Sequence, residues 1–261
     1  MSLNLVTLLL FSVIIKIMLE KFAGKFEKNT LFDAHFHYAV CVKEGVCDVP
    51  DVFNNRYNWQ GLSCAHFFDE WEVQNKASES VLKAYGLHPQ SAKYIDLKQS
   101  ADFLEKLLQA KLVSFIGEAG FDYFTPELRE TAEKQEEMWN VQLDLALKYK
   151  LPLVVHCRKA NHKLFEYSKQ LKKLPEVLFH SFMGPPVEVQ TLLKRDINAF
   201  FSFGKQLFNG NKKAIACVKE LPLNCLLAET DAPFQTLKGQ DNTRPSEIFN
   251  IIEEIKRIRY I

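Results

Sequence analysis

Phe32-Asp33-Ala34-His35-Phe36-His37 is the stretch on which the fold reading turns. Side chains of an extended strand alternate faces, so Asp33, His35 and His37 are expected to point one way while Ala34 and Phe36 enter the packing on the other. A single buried histidine is more often a hydrogen-bonded core residue than a ligand. Here, however, imidazoles and carboxylates recur at the ends of later apolar runs: Glu118, then His156-Cys157-Arg158, then His180, then Glu229-Thr230-Asp231. Recurrence at equivalent points of successive strands reads as one shared site, with the chemistry of a binuclear metal centre.

Working outward, eight apolar runs qualify as strands, at residues 31–37, 61–68, 81–88, 112–118, 151–158, 177–182, 198–204 and 226–231. Helical spacing of Leu, Ile, Phe and Ala marks residues 96–110, 126–150, 161–173, 186–194, 210–221 and 245–259. Thr125-Pro126-Glu127 is a good helix start, with Thr as N-cap and Pro at the first helical position. Such alternation is the signature of βα units around a parallel sheet. Eight units fit an α/β fold of the (β/α)8 TIM-barrel class, whose functional groups sit at the C-terminal ends of the strands. Residues 38–60 read as an irregular loop and 72–80 as a short helix at best.

The length of 261 residues suits one such barrel, which takes about 250 residues. The expected organisation is an apolar N-terminal extension over residues 1–30 and a single barrel domain over 31–261. With 47% apolar and 25% charged residues the chain can bury a large core, and a formal charge of +1 argues against coating nucleic acid through a broad basic face. The six cysteines form no C-x-x-C pair, so reduced core thiols and a cytoplasmic location are expected. Residues 3–19 approach a membrane span in length but lack a basic flank and a cleavage site. A packed extra helix, or a start at Met18, is preferred there over a signal or a membrane contact.

The strand-end groups are His35, His37, Glu118, His156, His180 and Asp231. Four imidazoles and two carboxylates suit two divalent ions, and the mixed N and O donors do not by themselves favour Mg over Mn or Zn. Glu118, between Gly117 and Gly120, is the natural bridging carboxylate. Paired ions of this kind lower the pKa of a water and clamp both oxygens of a phosphodiester.

At this point the chain resembles a known family, the TatD-type metal-dependent deoxyribonucleases of the amidohydrolase-like superfamily. The resemblance runs from about Leu31 to Pro245 and rests on FDAHFH, YGLHP, FIGEAGFDY, the glutamine-bearing helix at residues 135–146, LPLVVHCRKA, FHSFMG and LLAETDAPF, in that order. It implies a metallo-dependent hydrolase barrel that cleaves DNA, as an exonuclease on single strands or ends, by a metal-activated water. It also implies the same six metal ligands, with Glu118 and Asp231 as the catalytic pair and Asp231 accepting a proton. Hydrolysis of an amide or ester on the same site is the alternative, although barrels of that kind often bridge their metals with a modified lysine where this chain has Glu118. No stable protein partner is expected. The chain departs from the family at Met183, where a hydroxyl usually stands, in the order of residues 242–245 around Arg244, in the loop after the first strand, and in its short C-terminus.

Around this set, Arg158 suits a substrate phosphate or an ion pair with Glu229, and His88 a phosphate oxygen or a loop cap. Asp33, Asp122 and Glu229 suit the outer nitrogens of metal-bound imidazoles. His66, inside the second run, and His162, at a helix start, read as structural. The phenylalanines of residues 200–203 read as barrel filling rather than base stacking, and Lys159 and Lys205 as a local positive field at the mouth.

Overall fold

The computed structural model describes residues 30–48 and 58–260. Eight parallel strands form one sheet in the order of the chain: β1 (Thr30–Phe36), β2 (Asn58–Ala65), β3 (Val81–Tyr85), β4 (Phe115–Asp122), β5 (Leu153–Arg158), β6 (Val177–Phe179), β7 (Ala199–Phe203) and β8 (Leu226–Ala228). The helices around them are α1 (Tyr38–Lys43), α2 (Phe68–Gln74), α3 (Leu97–Gln109), α4 (Pro126–Arg129), α5 (Ala132–Tyr149), α6 (Asn161–Glu166), α7 (Ser168–Leu171), α8 (Pro186–Lys194), α9 (Lys212–Glu220) and α10 (Ile248–Arg259). This is the (β/α)8 barrel that the alternation of apolar runs predicts. The apolar run at residues 3–19 lies outside the described residues. Among the described ones, no helix is long and apolar enough to cross a membrane.

Two apolar layers follow from the strand period. Phe32, Leu62, Phe115, Val154, Leu178, Phe200 and Leu227, with Ala84, fill the barrel itself. Strand residues of the other parity, Phe36, Ile116, Val155 and Phe179 among them, pack beneath the helices. The phenylalanine-rich seventh strand thus fills the barrel and its outer layer, as read. Helix α3 starts on Asp96, whose carboxylate accepts the Gln99 N–H at 3.0 Å, and buries Leu104, Leu107 and Leu108. Burying each such leucine stabilises the fold by about 1.5–3 kcal/mol.

Several sequence expectations are corrected. The helix expected over 126–150 is two, because Thr131 leaves helical geometry and its hydroxyl turns back to the Leu128 carbonyl at 2.8 Å. The segment at 161–173 breaks at Tyr167, which also leaves helical geometry. A short helix, α1, starts the stretch expected to be all loop. Strand four runs to Asp122, four residues past Glu118.

The largest correction concerns β1, where strict alternation fails. Asp33 pairs with Gly61 but Phe36 with Ser63, so three residues advance against two. Ala34 therefore lies in the barrel interior, not on the face opposite His35, while Phe36 is in the outer layer. Strand β4 carries the same irregularity, with Ile116 opposite Leu153 and Ala119 opposite Val155. A bulge of this kind re-aims a side chain at a barrel rim. Here it turns Glu118 inward above Phe115.

Glycine at 120 makes that approach sterically feasible. Its φ is +144°, and a Cβ there would lie 1.9 Å from the His156 carbonyl oxygen. Gly120→Ala should destabilise the protein by roughly 3 kcal/mol or more, read as a lower midpoint in denaturant unfolding. An unchanged midpoint would show that the β4–β5 contact is not as close as described.

Candidate metal centre

Glu118 is the centre of the site. It is almost wholly buried, and six imidazole nitrogens surround its two oxygens: His180 Nε2 at 2.6 Å, His66 Nε2 at 3.1 Å, His35 Nε2 at 3.4 Å, His37 Nε2 at 3.6 Å, His156 Nδ1 at 3.7 Å and His88 Nε2 at 3.9 Å. On one side, His35 Nε2 and His37 Nε2 are 3.2 Å apart, and Asp231 Oδ1 is 3.5 and 3.3 Å from them. On the other, His156 Nδ1 and His180 Nε2 are 3.1 Å apart. All six residues expected from the sequence as ligands thus converge.

The donor set fits divalent ions. Four donors about 2.0–2.1 Å from a tetrahedral zinc stand about 3.3–3.4 Å from one another, close to the separations here. His35, His37 and Asp231 form one group able to hold an ion, and His35, Glu118 and His180 another.

Supporting bonds come from unlike elements. His156 Nε2 meets Asp122 Oδ2 at 3.1 Å, which places Asp122 where it can orient the His156 ring. Asp122 is itself clamped by Gln135 of α5, which accepts its N–H at 2.8 Å and donates to its carbonyl at 3.1 Å. Two turns of helix later Gln142 does the same for Leu87, at 2.7 and 3.0 Å, and so aims His88. The other two carboxylates depart from expectation. Asp33 accepts from the Thr230 N–H and hydroxyl at 2.9 and 2.5 Å rather than from an imidazole. Glu229 accepts from Ser181 and Ser202, both at 2.5 Å, and its nearest approach to His180 Nδ1 is 3.9 Å.

Electrostatics follow from burial and this crowding. Burial disfavours the Glu118 and Asp231 carboxylates, but the imidazoles outweigh it and hold both well below the ordinary range. Burial likewise opposes a proton on His35 and His156, yet the carboxylates prevail. His35 rises well above its usual value, and His156 is lifted to about 9 by Asp122 and Glu118. His37 is lowered, and His88 lowered strongly, mainly by burial.

A cavity of about 800 Å³ opens over Glu118, lined by His88, Arg158, Met183 and Phe234 among others. Arg158 stacks its guanidinium 3.5 Å from the centre of the Phe124 ring, and no ion pair with Glu229 forms. Lys205 does not supply a field at the mouth. It is buried, and its ammonium is held by Glu247 at 2.8 Å, Thr243 at 2.8 Å and Gln240 at 2.5 Å. Lys159 is exposed, Arg244 faces Asp48 at 3.9 Å, and His162 is exposed beside Tyr123.

Sequence reasoning missed His66 and Gln235. Gln235 donates to Asp231 Oδ2 at 2.9 Å and to Ser181. His66 was legible: Leu62 and Cys64 face the barrel interior, so the same parity carries His66 to the mouth. The expected strand ran on to Phe68 and hid this, whereas β2 ends at Ala65.

Eight parallel strands bearing clustered His, Glu and Asp at one mouth define a barrel hydrolase of the metal-dependent class. A family model described as TatD related DNase matches residues 32–261. The chain belongs to that family. It is 30% identical over 196 residues to a Mycoplasma pneumoniae protein named an uncharacterized metal-dependent hydrolase, covering 71% of this chain and 74% of that one. Human TATDN2, named a 3'-5' RNA nuclease, is 33% identical over 198 residues, 72% of this chain but 25% of that longer protein. Among solved structures, YJJV of Escherichia coli, a TatD homologue, matches with a TM-score of 0.76 at 22% identity, over 87% of this chain and 90% of that one.

Metal uptake should depend on pH in a stated direction. His156 has a folded pKa near 9 against 6.5 ordinarily, so its proton stabilises the metal-free fold fully below 6.5, an effect lost as pH rises through 9. A ligand nitrogen must be free of that proton. Apparent zinc affinity should therefore rise with pH up to about 9. Titration calorimetry at pH 7 in two buffers of unlike ionisation enthalpy should report proton release on binding. No release would contradict a protonated His156.

Proposed function

We propose that this chain hydrolyses phosphodiester bonds of DNA, working on single strands or ends as an exonuclease, with two divalent ions held by His35, His37, Glu118, His156, His180 and Asp231. The observation that carries this is Glu118, one buried carboxylate between the His35, His37, Asp231 group and the His156, His180 pair. When bound, such ions supply Lewis acidity that activates a water and polarises the phosphoryl group.

The chain's own groups do the rest. Asp231 stays ionised, and its Oδ2 is oriented by Gln235 at 2.9 Å, which suits it to take the proton of the attacking water. His88 accepts the Gln90 N–H on Nδ1 at 3.3 Å, so its neutral ring carries hydrogen on Nε2 and can donate it to a phosphate oxygen. Arg158 offers a fork of donors that no carboxylate occupies among the described residues, and its planar face is fixed on Phe124. Two donors aimed at an anion favour phosphate over the neutral carbonyl of an amide or ester.

Single strands suit the rim. Phe67, Tyr94 and Phe234 line the cavity and are 48%, 82% and 50% exposed, offering faces on which unpaired bases stack. Met183, at the cavity wall, makes its own position an apolar rather than a hydroxyl contact. The family description supports DNA and the human relative's name supports RNA, so both belong in the assay. Six free thiols suit a reducing compartment, and we assign the protein to the cytoplasm on that ground.

Labelled single- and double-stranded DNA, RNA and an ester panel, each with Mg, Mn or Zn, test the reading. Chelated protein, Glu118→Ala and Asp231→Ala should all fall to the blank while keeping the fold by circular dichroism, and digestion by any of them at the parent rate would refute it. Arg158→Ala should lower kcat/KM on DNA by roughly 10- to 100-fold, mostly through KM, and Arg158→Lys should recover little, since an ammonium cannot make the same paired contact. Full recovery with lysine would reduce Arg158 to a point charge.

A further inference from the structure

His66 is the one imidazole around Glu118 outside the expected set of ligands and phosphate donors, and its surroundings fix its tautomer. The residue follows β2 and is pinned by its N–H, which donates to Glu70 Oε2 at 2.7 Å. Its Nδ1 is 3.4 Å from the Gly86 carbonyl oxygen, which can only accept, so Nδ1 carries the hydrogen. In the neutral ring Nε2 is then bare. It lies 3.1 Å from Glu118 Oε2, an ionised oxygen that also has only lone pairs to offer. Two lone pairs at that distance repel unless a proton or a metal ion sits between them.

His88 is its opposite. The two rings are 4.9 Å apart on one wall, yet His88 accepts a backbone N–H on Nδ1 and so presents N–H, not a lone pair, to Glu118. Neighbouring histidines at the same mouth are thus set for different work, one to bind a cation and one to donate a hydrogen bond.

We propose that His66 is a further metal ligand, completing with His37 and Glu118 Oε2 the coordination of the ion that His37 holds. Their donor atoms lie within 4.8 Å of one another, and the His66 side chain is only 9% exposed. Another nitrogen in that shell selects zinc, manganese, iron, cobalt or nickel against magnesium, which prefers oxygen and water. The inference rests on the metal-centre reading and is independent of the substrate.

The test uses the full chain, stripped and reloaded with Co(II) or Zn(II), and reads metal content under chelator competition together with the visible Co(II) spectrum. His66→Ala should weaken one bound ion at least about tenfold, since even outer partners of a ligand are worth 10–100-fold, and should alter the Co(II) bands. His66→Gln, which keeps a polar group against Glu118, should show the same loss and covers the case in which alanine unfolds the site. His88→Ala should leave metal content and spectrum as in the parent. Unchanged affinity and spectrum in both His66 variants would overturn the proposal and leave the ring as an imidazolium bonded to Glu118. Equal losses in His66 and His88 variants would also overturn it, by showing general disruption of the wall. If no ion binds the parent at all, the metal-centre reading fails, whatever the variants do.

Discussion

Asp33 and Thr230 hold the first strand to the eighth, and the site exists because they do. These residues are 197 positions apart, and closing so long a chain loop is entropically costly before any contact compensates. Thr230 donates both its N–H and its hydroxyl to the Asp33 carboxylate. Just above, the Asp231 N–H donates to the His35 carbonyl at 2.9 Å and the His37 N–H to the Ala232 carbonyl at 2.8 Å. The bonds that close the barrel at its mouth are therefore made by residues of the candidate site and their immediate neighbours. Asp33 is wholly buried, and burial pushes its carboxyl up to about 7 against the pull of Thr230. Its position is one where removal of either partner strands a buried polar group, at a cost of about 1–3 kcal/mol.

The same economy governs charge. Two buried carboxylates and six imidazoles share a space where neither sign is well solvated. Without ions, protons on His35 and His156 balance Glu118 and Asp231, and each pKa moves in the direction that lowers the energy of the opposite partner. A divalent ion held there would instead carry the positive charge, with the imidazoles acting as neutral donors. Metal uptake at such a cluster would exchange protons for a metal cation inside an arrangement already shaped by attraction.

Period two carried most of this from sequence to site. Leu178 to His180, Val154 to His156 and Arg158, and Leu227 to Glu229 and Asp231 each step from barrel filling to mouth on one face, and reading them needs only parity. Parity fails on β1 and β4, because a bulge depends on how two distant strands pair; Gly117 and Gly120 mark the irregularity of β4, but no local signal near Ala34 reports that of β1. Asp33 was misplaced for this reason. Lys205 was misread for another: its partner Glu247 lies 42 residues on by number, and only the packed fold brings them together. The helix break at Thr131 is also tied to the tertiary fold, since Gln135 Nε2 donates to Thr131, to the Leu128 carbonyl and to the Asp122 carbonyl of β4, while its Oε1 accepts the Asp122 N–H.

Strength and chemistry are separated along the barrel axis. Phe32, Phe115 and Phe200 fill the interior, and beneath the histidines of the mouth the side chains shrink to Ala34, Cys64 and Ala84. Small residues there leave room for imidazoles to turn inward, and Cys64 meets His35 Nδ1 at 3.6 Å, so that His35 can present Nε2 to the site. Enlarging that layer would push the histidines apart, whereas truncating the layer below would open a cavity costing about 2–5 kcal/mol for a leucine. The site therefore tolerates little change in the volume under it, although most of the apolar burial that stabilises the barrel lies in the layers below and outside it. What fixes the donor spacing is the height of this small-residue layer together with the two bulges, one under His35 and one under Glu118.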